Sequence, residues 1–196
     1  MTIKAVIFDL DGTITRPYLD FDLVRKEIGL DKNCGPILET IGKMPPDQRA
    51  YAEAILHSHE KKAVEESTLN PGAEKTLKTL ARKDIAIGIL TRNTRKNAVA
   101  VMQKHRLAYD AIVAREDGPV KPDAFGVLQL CRAFNVEPCE TLMVGDYLFD
   151  MQAANAAGAH AVLLRNIPQA QQYAEYARFV IDNLDELLKI IDNPGE

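Results

Sequence analysis

The sequence predicts a doubly wound α/β fold with a mainly parallel sheet and a small helical insertion after the first strand. Short β-branched runs alternate with helical stretches over most of the chain, as expected for a sheet with helices on both faces. Residues 16–70 interrupt this alternation and contain only helical patterns. We therefore expect an α/β core formed by residues 1–15 and 71–196, and a helical cap formed by residues 16–70.

The predicted strands are short and apolar, and the segments between them have helical periodicity. Gly158 is expected to end the helix before the fifth strand, and Asp123 is expected to be the N-cap of an earlier helix. The expected strands are residues 5–8, 85–90, 111–114, 141–145, 161–164 and, more weakly, 179–181. The expected helices include residues 72–83, 97–105 and 123–134 in the core, and residues 20–30 and 45–67 in the insertion.

Composition excludes several classes of protein. The 196 residues are 46% hydrophobic, which suffices for one full domain with a small appendage. The net charge of -4 argues against a nucleic-acid-binding surface. Three cysteines without a CxxC pair argue against a disulfide framework or a zinc site. With no apolar run long enough for a signal peptide or a membrane span, we expect a cytoplasmic protein that does not bind membranes. The oligomeric state is not predicted.

The first strand ends in two carboxylates, Asp9 and Asp11, separated by one residue. Side chains at i and i+2 of an extended segment point the same way, so both carboxylates can converge on one point. A divalent cation with oxygen ligands, such as Mg²⁺, would stabilise them there. Gly12 permits main-chain N–H groups to approach an anion. Taken alone, the same residues are equally explained by a turn and its cap.

Other polar residues follow later strands, at the edge of a parallel sheet where ligands bind. Thr91 follows the second strand, where its hydroxyl either holds a phosphate or caps the next helix. Lys121 is fixed between the prolines of GPVKPD. Asp146 ends the fourth strand and Asp150 lies one helical turn further on. These two acids form either a cation site or the cap and first-turn acid of a helix.

The order of these motifs, DLDGT, LT, KPD and GDYLFD, resembles the motif set of the haloacid dehalogenase superfamily. It looks most like the phosphatases of that superfamily with a small helical cap between the first two motifs. The resemblance covers residues 1–15 and 71–165 and implies a Rossmann-like core.

The resemblance also implies roles for individual residues. Asp9 resembles the nucleophile that forms an aspartyl-phosphate, and Asp11 resembles the general acid/base. Thr91 and Lys121 resemble the pair that holds the substrate phosphate. Asp146 resembles a Mg²⁺ ligand, together with the Asp9 carboxylate and the Asp11 carbonyl.

Four further residues are expected to take part in this site. Arg92, next to Thr91, is placed among the phosphate-binding residues because it could reach the substrate. Gly12 and Thr13 complete the first motif and support it. Asp150 resembles either an outer metal ligand or a support for the lysine of the third motif.

These residues predict a Mg²⁺-dependent phosphatase that acts on a small phosphorylated metabolite, with phosphoglycolate as the first candidate. One alternative is a sugar-phosphate mutase, which would transfer the same phosphoryl group to another hydroxyl instead of water. A second is a non-catalytic binding or regulatory protein of the same superfamily. The presence of Asp11 argues against a dehalogenase, and the helical insertion argues against a phospho-acceptor receiver domain.

Overall fold

The sheet of the computed structural model, which describes residues 2–193, is six-stranded and entirely parallel. Its strands are β1 (Ala5–Phe8), β2 (Ala86–Leu90), β3 (Ala111–Val113), β4 (Thr141–Gly145), β5 (His160–Leu164) and β6 (Phe179–Ile181). They lie in the order β3-β2-β1-β4-β5-β6. The doubly wound α/β class predicted from the sequence is therefore confirmed.

Eight α-helices occupy the described residues. They are α1 (Phe21–Ile28), α2 (Ile37–Gly42), α3 (Pro46–Glu66), α4 (Ala73–Arg82), α5 (Arg95–Lys104), α6 (Phe125–Phe134), α7 (Leu148–Ala157) and α8 (Leu187–Asp192). Short 3-10 helices cover Pro138–Glu140, Pro168–Tyr176 and Leu184–Glu186. Within the described part of the chain, none of the helices combines the length and apolar character needed to cross a membrane.

Of the two helix ends predicted from the sequence, the structure confirms one and corrects the other. Gly158 ends α7 in the left-handed conformation with a φ of 79°, as predicted. The prediction of Asp123 as the N-cap of α6 is wrong by one residue, because Ala124 occupies the cap position. The Asp123 carboxylate nevertheless accepts a hydrogen bond of 2.7 Å from the N–H of Phe125, the first residue of the helix. It therefore satisfies one of the free N–H groups at this helix start.

The chain divides into two compact units, one formed up to Pro17 and from Thr68 onward, the other by Tyr18–Ser67. The smaller unit contains α1, α2 and α3, which pack around a small apolar core. The sequence did not predict α2, since six residues are too few to show a helical period. The buried residues of this core are Val24, Ile37, Ile41, Ala52 and Leu56.

The order of the strands fixes where a ligand can bind in the larger unit. The chain runs outward from β1 through β2 to β3, then returns to β4 and continues in the opposite direction. Since crossovers between parallel strands are right-handed, the helices of the two halves lie on opposite faces. The reversal falls between β1 and β4, where Phe8 pairs with Val144. A crevice outside the carboxyl ends of the strands at such a switch point is the usual ligand site.

Tight packing of α6 on the sheet gives a test of this fold. A Cβ added at Gly126 would overlap the buried side chain of Leu90 in β2. We expect Gly126→Ala to lower the free energy of unfolding by about 1–3 kcal/mol through overpacking, measured by urea denaturation followed by circular dichroism. In a Leu90→Ala background the added methyl has room, so the cost should shrink. An equal cost in both backgrounds would contradict the close contact between Gly126 and Leu90.

Candidate active site

A buried ammonium group lies at the centre of the site. Nζ of Lys121 lies 2.5 Å from Oδ1 of Asp9 and 2.7 Å from Oδ1 of Asp150. Asp9 directly follows β1, Asp150 lies in the first turn of α7, and Lys121 lies in the loop before α6. All three residues are buried. Burial alone would lower the pKa of Lys121, but the two carboxylates outweigh it and raise that pKa, so the group stays charged.

Three carboxylates surround this ammonium group. Asp9, Asp146 and Asp150 each offer an oxygen, and these oxygens lie within 4.8 Å of one another. Burial raises the pKa of Asp9 well above its ordinary value, although Lys121 opposes the shift. Burial, together with the carboxylate of Asp150, raises the pKa of Asp146 to about 7. In both residues burial is the largest cause of the raised pKa, because it disfavours the charged form of a carboxyl group.

The donor set fits a divalent cation. Asp9, Asp146 and Asp150 offer three carboxylate oxygens within one buried space, and the ammonium group of Lys121 contacts Asp9 and Asp150. Carboxylate oxygens are the ligands that hard cations such as Mg²⁺ and Ca²⁺ take up. Asp9, Asp146 and Asp150 are therefore the residues that could hold such an ion.

Glycine residues let the carboxylates of this cluster lie directly against the backbone. Gly12 has a φ of 93°, and a Cβ there would overlap the carboxylate of Asp146. A Cβ at Gly145 would overlap the side chain of Asp150. Thr13 donates a hydrogen bond of 3.2 Å from its hydroxyl to Oδ1 of Asp146. The first and fourth sequence motifs are thus in direct contact.

The loop that carries the first motif is held by Asn70, which lies in an Asn-Pro-Gly sequence that predicts only a turn. Nδ2 of Asn70 donates to the carbonyls of Gly12, Thr13 and Thr15 at 2.8, 2.8 and 3.0 Å. Asn166, which follows β5, also donates to the carbonyl of Gly12. These amides satisfy carbonyls that neither helix nor sheet reaches, and so fix the loop conformation.

The two carboxylates of DLDGT face different partners. Asp9 contacts Lys121, whereas Oδ2 of Asp11 accepts a hydrogen bond of 3.1 Å from Nδ2 of Asn93. Burial raises the pKa of Asp11, against the opposing effects of Asn93 and Lys121. Asn93 also donates its backbone N–H to Oγ1 of Thr91 at 2.9 Å. Asn93 lies two residues after Thr91, which directly follows β2, and no motif in the sequence singles it out.

Arg92 contacts the backbone of the lysine loop. Its guanidinium group donates to the carbonyl of Lys121 and lies 4.9 Å from the centre of the Phe149 ring. Phe149 in turn makes an edge-to-face contact with Tyr147, with ring centres 5.1 Å apart. These contacts stabilise the loop that contains Lys121. The phosphate-binding role expected for Arg92 stays a prediction.

This geometry supports the chemistry of a hydrolase for anionic substrates. A carboxylate that ends a central strand can act as a nucleophile without prior deprotonation once it is ionised. The adjacent ammonium and cation site can offset the charge of an incoming anion. Asp11 is a second acid with a different environment, as acid/base chemistry requires.

The chain belongs to the haloacid dehalogenase-like hydrolase family, whose sequence profile matches residues 29–164, more than half of its length. A hydrolase of Saccharomyces cerevisiae is 31% identical over 97% of this chain and 92% of its own length. A phosphoglycolate phosphatase of Nitrosospira multiformis is 28% identical over 82% of both chains. The crystal structure of a hydrolase from Pseudomonas syringae has a TM-score of 0.82 at 21% identity, covering 98% of this chain and 100% of that one. The family resemblance seen in the sequence is thereby confirmed.

The buried ion pairs of Lys121 are expected to contribute to the stability of the fold. Lys121→Met removes the ammonium group and leaves its two carboxylate partners buried without it. We expect the free energy of unfolding in metal-free buffer at neutral pH to fall by about 3–5 kcal/mol, as when one partner of a buried ion pair is removed. Thermal and urea unfolding would measure the change.

The matched control for this prediction is Lys96→Met, at an exposed position of α5. This change should alter stability by less than about 0.5 kcal/mol. A similarly small effect of Lys121→Met would show that the buried ion pairs of Lys121 do not stabilise the fold.

Proposed function

We propose that this protein is a Mg²⁺-dependent phosphomonoesterase that acts on a small phosphorylated metabolite through an aspartyl-phosphate on Asp9. The observation that carries the proposal is the placement of the Asp9 carboxylate. It follows a central strand at the switch point, 2.5 Å from the buried Lys121 ammonium and within a cluster of carboxylates suited to a cation. The phosphatase relative from Nitrosospira multiformis supports phosphoryl chemistry for this arrangement.

Asp9 acts as the nucleophile. Its carboxylate attacks the phosphorus atom, the bond between phosphorus and the substrate oxygen breaks, and the phosphoryl group is carried by Asp9. The main barrier is the repulsion between two anions, which the ammonium of Lys121 lowers. Asp9, Asp146 and the Asp11 carbonyl would hold Mg²⁺, with Asp150 nearby. The ion would supply positive charge that favours the ionised carboxylates and offsets the charge of the phosphate.

Asp11 acts as the general acid and then as the general base. Burial raises its pKa, which favours the neutral acid that is needed to protonate the departing oxygen. In the second half of the reaction the resulting carboxylate takes a proton from water. That water attacks the phosphorus, releases phosphate and restores the Asp9 carboxylate.

The substrate phosphate is held by Thr91 and Lys121. Oγ1 of Thr91 already accepts the N–H of Asn93, so its own proton is available to donate to a phosphate oxygen. Thr91 is buried at the end of β2, beside the strand that carries Asp9. Arg92 supports this group through the carbonyl of Lys121.

Phosphoglycolate is the first substrate to test, in line with the relative of that name. A sugar-phosphate mutase would form the same covalent intermediate but would pass the phosphoryl group to a second hydroxyl. Release of inorganic phosphate in water alone distinguishes the phosphatase from the mutase.

The nucleophile is tested by Asp9→Asn, which keeps the shape of the side chain and removes its negative charge. We expect turnover to fall by roughly 10⁴–10⁶-fold, as for loss of a nucleophile in other enzymes, with the fold unchanged by circular dichroism. The assay is hydrolysis of p-nitrophenyl phosphate and phosphoglycolate with Mg²⁺ or with EDTA.

Asp192→Asn is the matched control for the nucleophile, since this carboxylate is exposed and pairs with Lys83 at the surface. It should retain wild-type rates. Wild-type rates in Asp9→Asn would show that the nucleophile is another residue. Trapping of phosphate on Asp9 in the wild type is the direct test of the intermediate.

The cation site is tested by Asp146→Ala. Removing one of three clustered carboxylates should raise the Mg²⁺ concentration for half-maximal activity by at least about tenfold, since each ligand contributes charge and geometry to the site. A readout without turnover is the rise in melting temperature on adding Mg²⁺, which corresponds to about 2.7 kcal/mol at one hundred times the dissociation constant. This rise should be lost in Asp146→Ala and kept in Asp192→Ala. An unchanged response of Asp146→Ala would remove Asp146 from the metal site.

A further inference from the structure

We propose that Asn93 is a positioning residue that fixes the rotation of the Asp11 carboxyl group, so that Oδ1 of Asp11 exchanges the proton with the substrate. The proposal rests on the phosphatase function proposed above. It assigns to a buried asparagine, outside the motifs that carry the family resemblance, the task of aiming the general acid.

The orientation of the Asn93 side-chain amide is decided by its neighbours. The backbone N–H of Thr94 lies 2.8 Å from Oδ1 of Asn93, and Nδ2 of Asn97 lies 2.9 Å from the same oxygen. A backbone N–H can only donate, so the atom facing it must be the oxygen of the amide. The NH₂ group of Asn93 therefore faces the other way, toward Oδ2 of Asp11 at 3.1 Å.

The backbone of Asn93 is held as firmly as its side chain. Its N–H donates to Oγ1 of Thr91 at 2.9 Å, and its carbonyl accepts from the N–H of Arg115 at 3.2 Å. Thr94 caps α5 by accepting the N–H of Asn97 at 3.2 Å. Asn93 and Asn97 are both buried. The amide cannot turn away from Asp11 without breaking several of these bonds, so it is a fixed donor.

A fixed donor distinguishes the two oxygens of Asp11. Oδ2 must accept from Asn93 both when Asp11 is neutral and when it is ionised, so the proton of the neutral acid lies on Oδ1. Within residues 2–193 no hydrogen bond reaches Oδ1, which leaves this oxygen available to a substrate.

Both proton transfers then pass through Oδ1. In the first step its proton moves to the leaving oxygen as the O–P bond breaks, and the electron pair of that bond stays on the oxygen. In the second step Oδ1 takes a proton from water while the water oxygen bonds to phosphorus and the bond to Asp9 breaks.

The primary test is Asn93→Asp, which keeps the acceptor for Thr94 and Asn97 and replaces only the donor that faces Asp11. A carboxylate there draws the Asp11 proton to Oδ2. General-acid catalysis matters most when the leaving group is poor, so the loss should depend on the substrate. We expect kcat for an alkyl phosphate to fall about 100-fold and kcat for p-nitrophenyl phosphate less than about tenfold, because general-acid catalysis contributes about 10²–10⁴-fold in total. KM should change little.

Asn93→Ala should show the same dependence on the leaving group. Asn155→Ala is the matched control, because its amide donates to the carbonyl of Tyr176 at the surface, outside the site. In an Asp11→Ala background, the changes at Asn93 should have no further effect on kcat. Equal losses for all leaving groups, or additive losses in the double variant, would overturn the positioning role.

A readout independent of turnover is the NMR signal of the Asn93 side-chain NH₂ in the metal-free protein. Asp11→Ala removes its acceptor and should displace this signal, whereas Asn155→Ala should not. If the signal is not displaced, the hydrogen bond between Asn93 and Asp11 is refuted. If the wild type hydrolyses no phosphate ester, the proposed function fails and the positioning role fails with it. An active wild type with a uniform loss at Asn93 refutes the positioning role alone.

Discussion

The ammonium group of Lys121, buried between Asp9 and Asp150, is the interaction on which the arrangement of the site depends. Removing a charge from water costs several kcal/mol, and only well-placed opposite charges offset that cost. The two partners come from the end of β1 and the first turn of α7, so the burial of this lysine depends on both the sheet and the helix. Asp146 adds a third carboxylate to this cluster, and the three together could hold a cation.

Charged side chains and side-chain amides have different roles in the site. In the reaction that we propose, the carboxylates and the lysine lie where charge would develop during phosphoryl transfer. Asn70 and Asn166 hold the carbonyls of the first motif, and Asn93 holds Asp11. An amide can orient a neighbour through one donor and one acceptor without adding charge, which matters where carboxylates already crowd one another. The site thus combines a highly charged centre with a neutral supporting shell.

The sequence predicted the sheet and the residues at its carboxyl edge well, because short apolar strands between amphipathic helices are a strong pattern. It placed Asp9, Thr91 and Asp146 at strand ends, and the structure has them there. It did not predict α2, which is too short to show a period. Contacts made through side-chain amides were also missed, because a buried asparagine and a turn asparagine look alike in a sequence. Asn70 is the clearest case, since Asn70-Pro71-Gly72 reads as a turn while its amide reaches three carbonyls.

The chain leaves and re-enters the larger unit at neighbouring points. The N–H of Arg16 donates to the carbonyl of Thr68, and the N–H of Asn70 donates to that of Ile14, at 2.9 Å each. These two bonds hold together the two ends of the segment Tyr18–Ser67. All four residues that make them lie outside that segment. Because the entropy of closing a loop grows only slowly with its length, the intervening segment can be exchanged for a longer or shorter one at small thermodynamic cost. The length of the segment between these bonds can therefore change without breaking the hydrogen bonds that hold its two ends together in the larger unit.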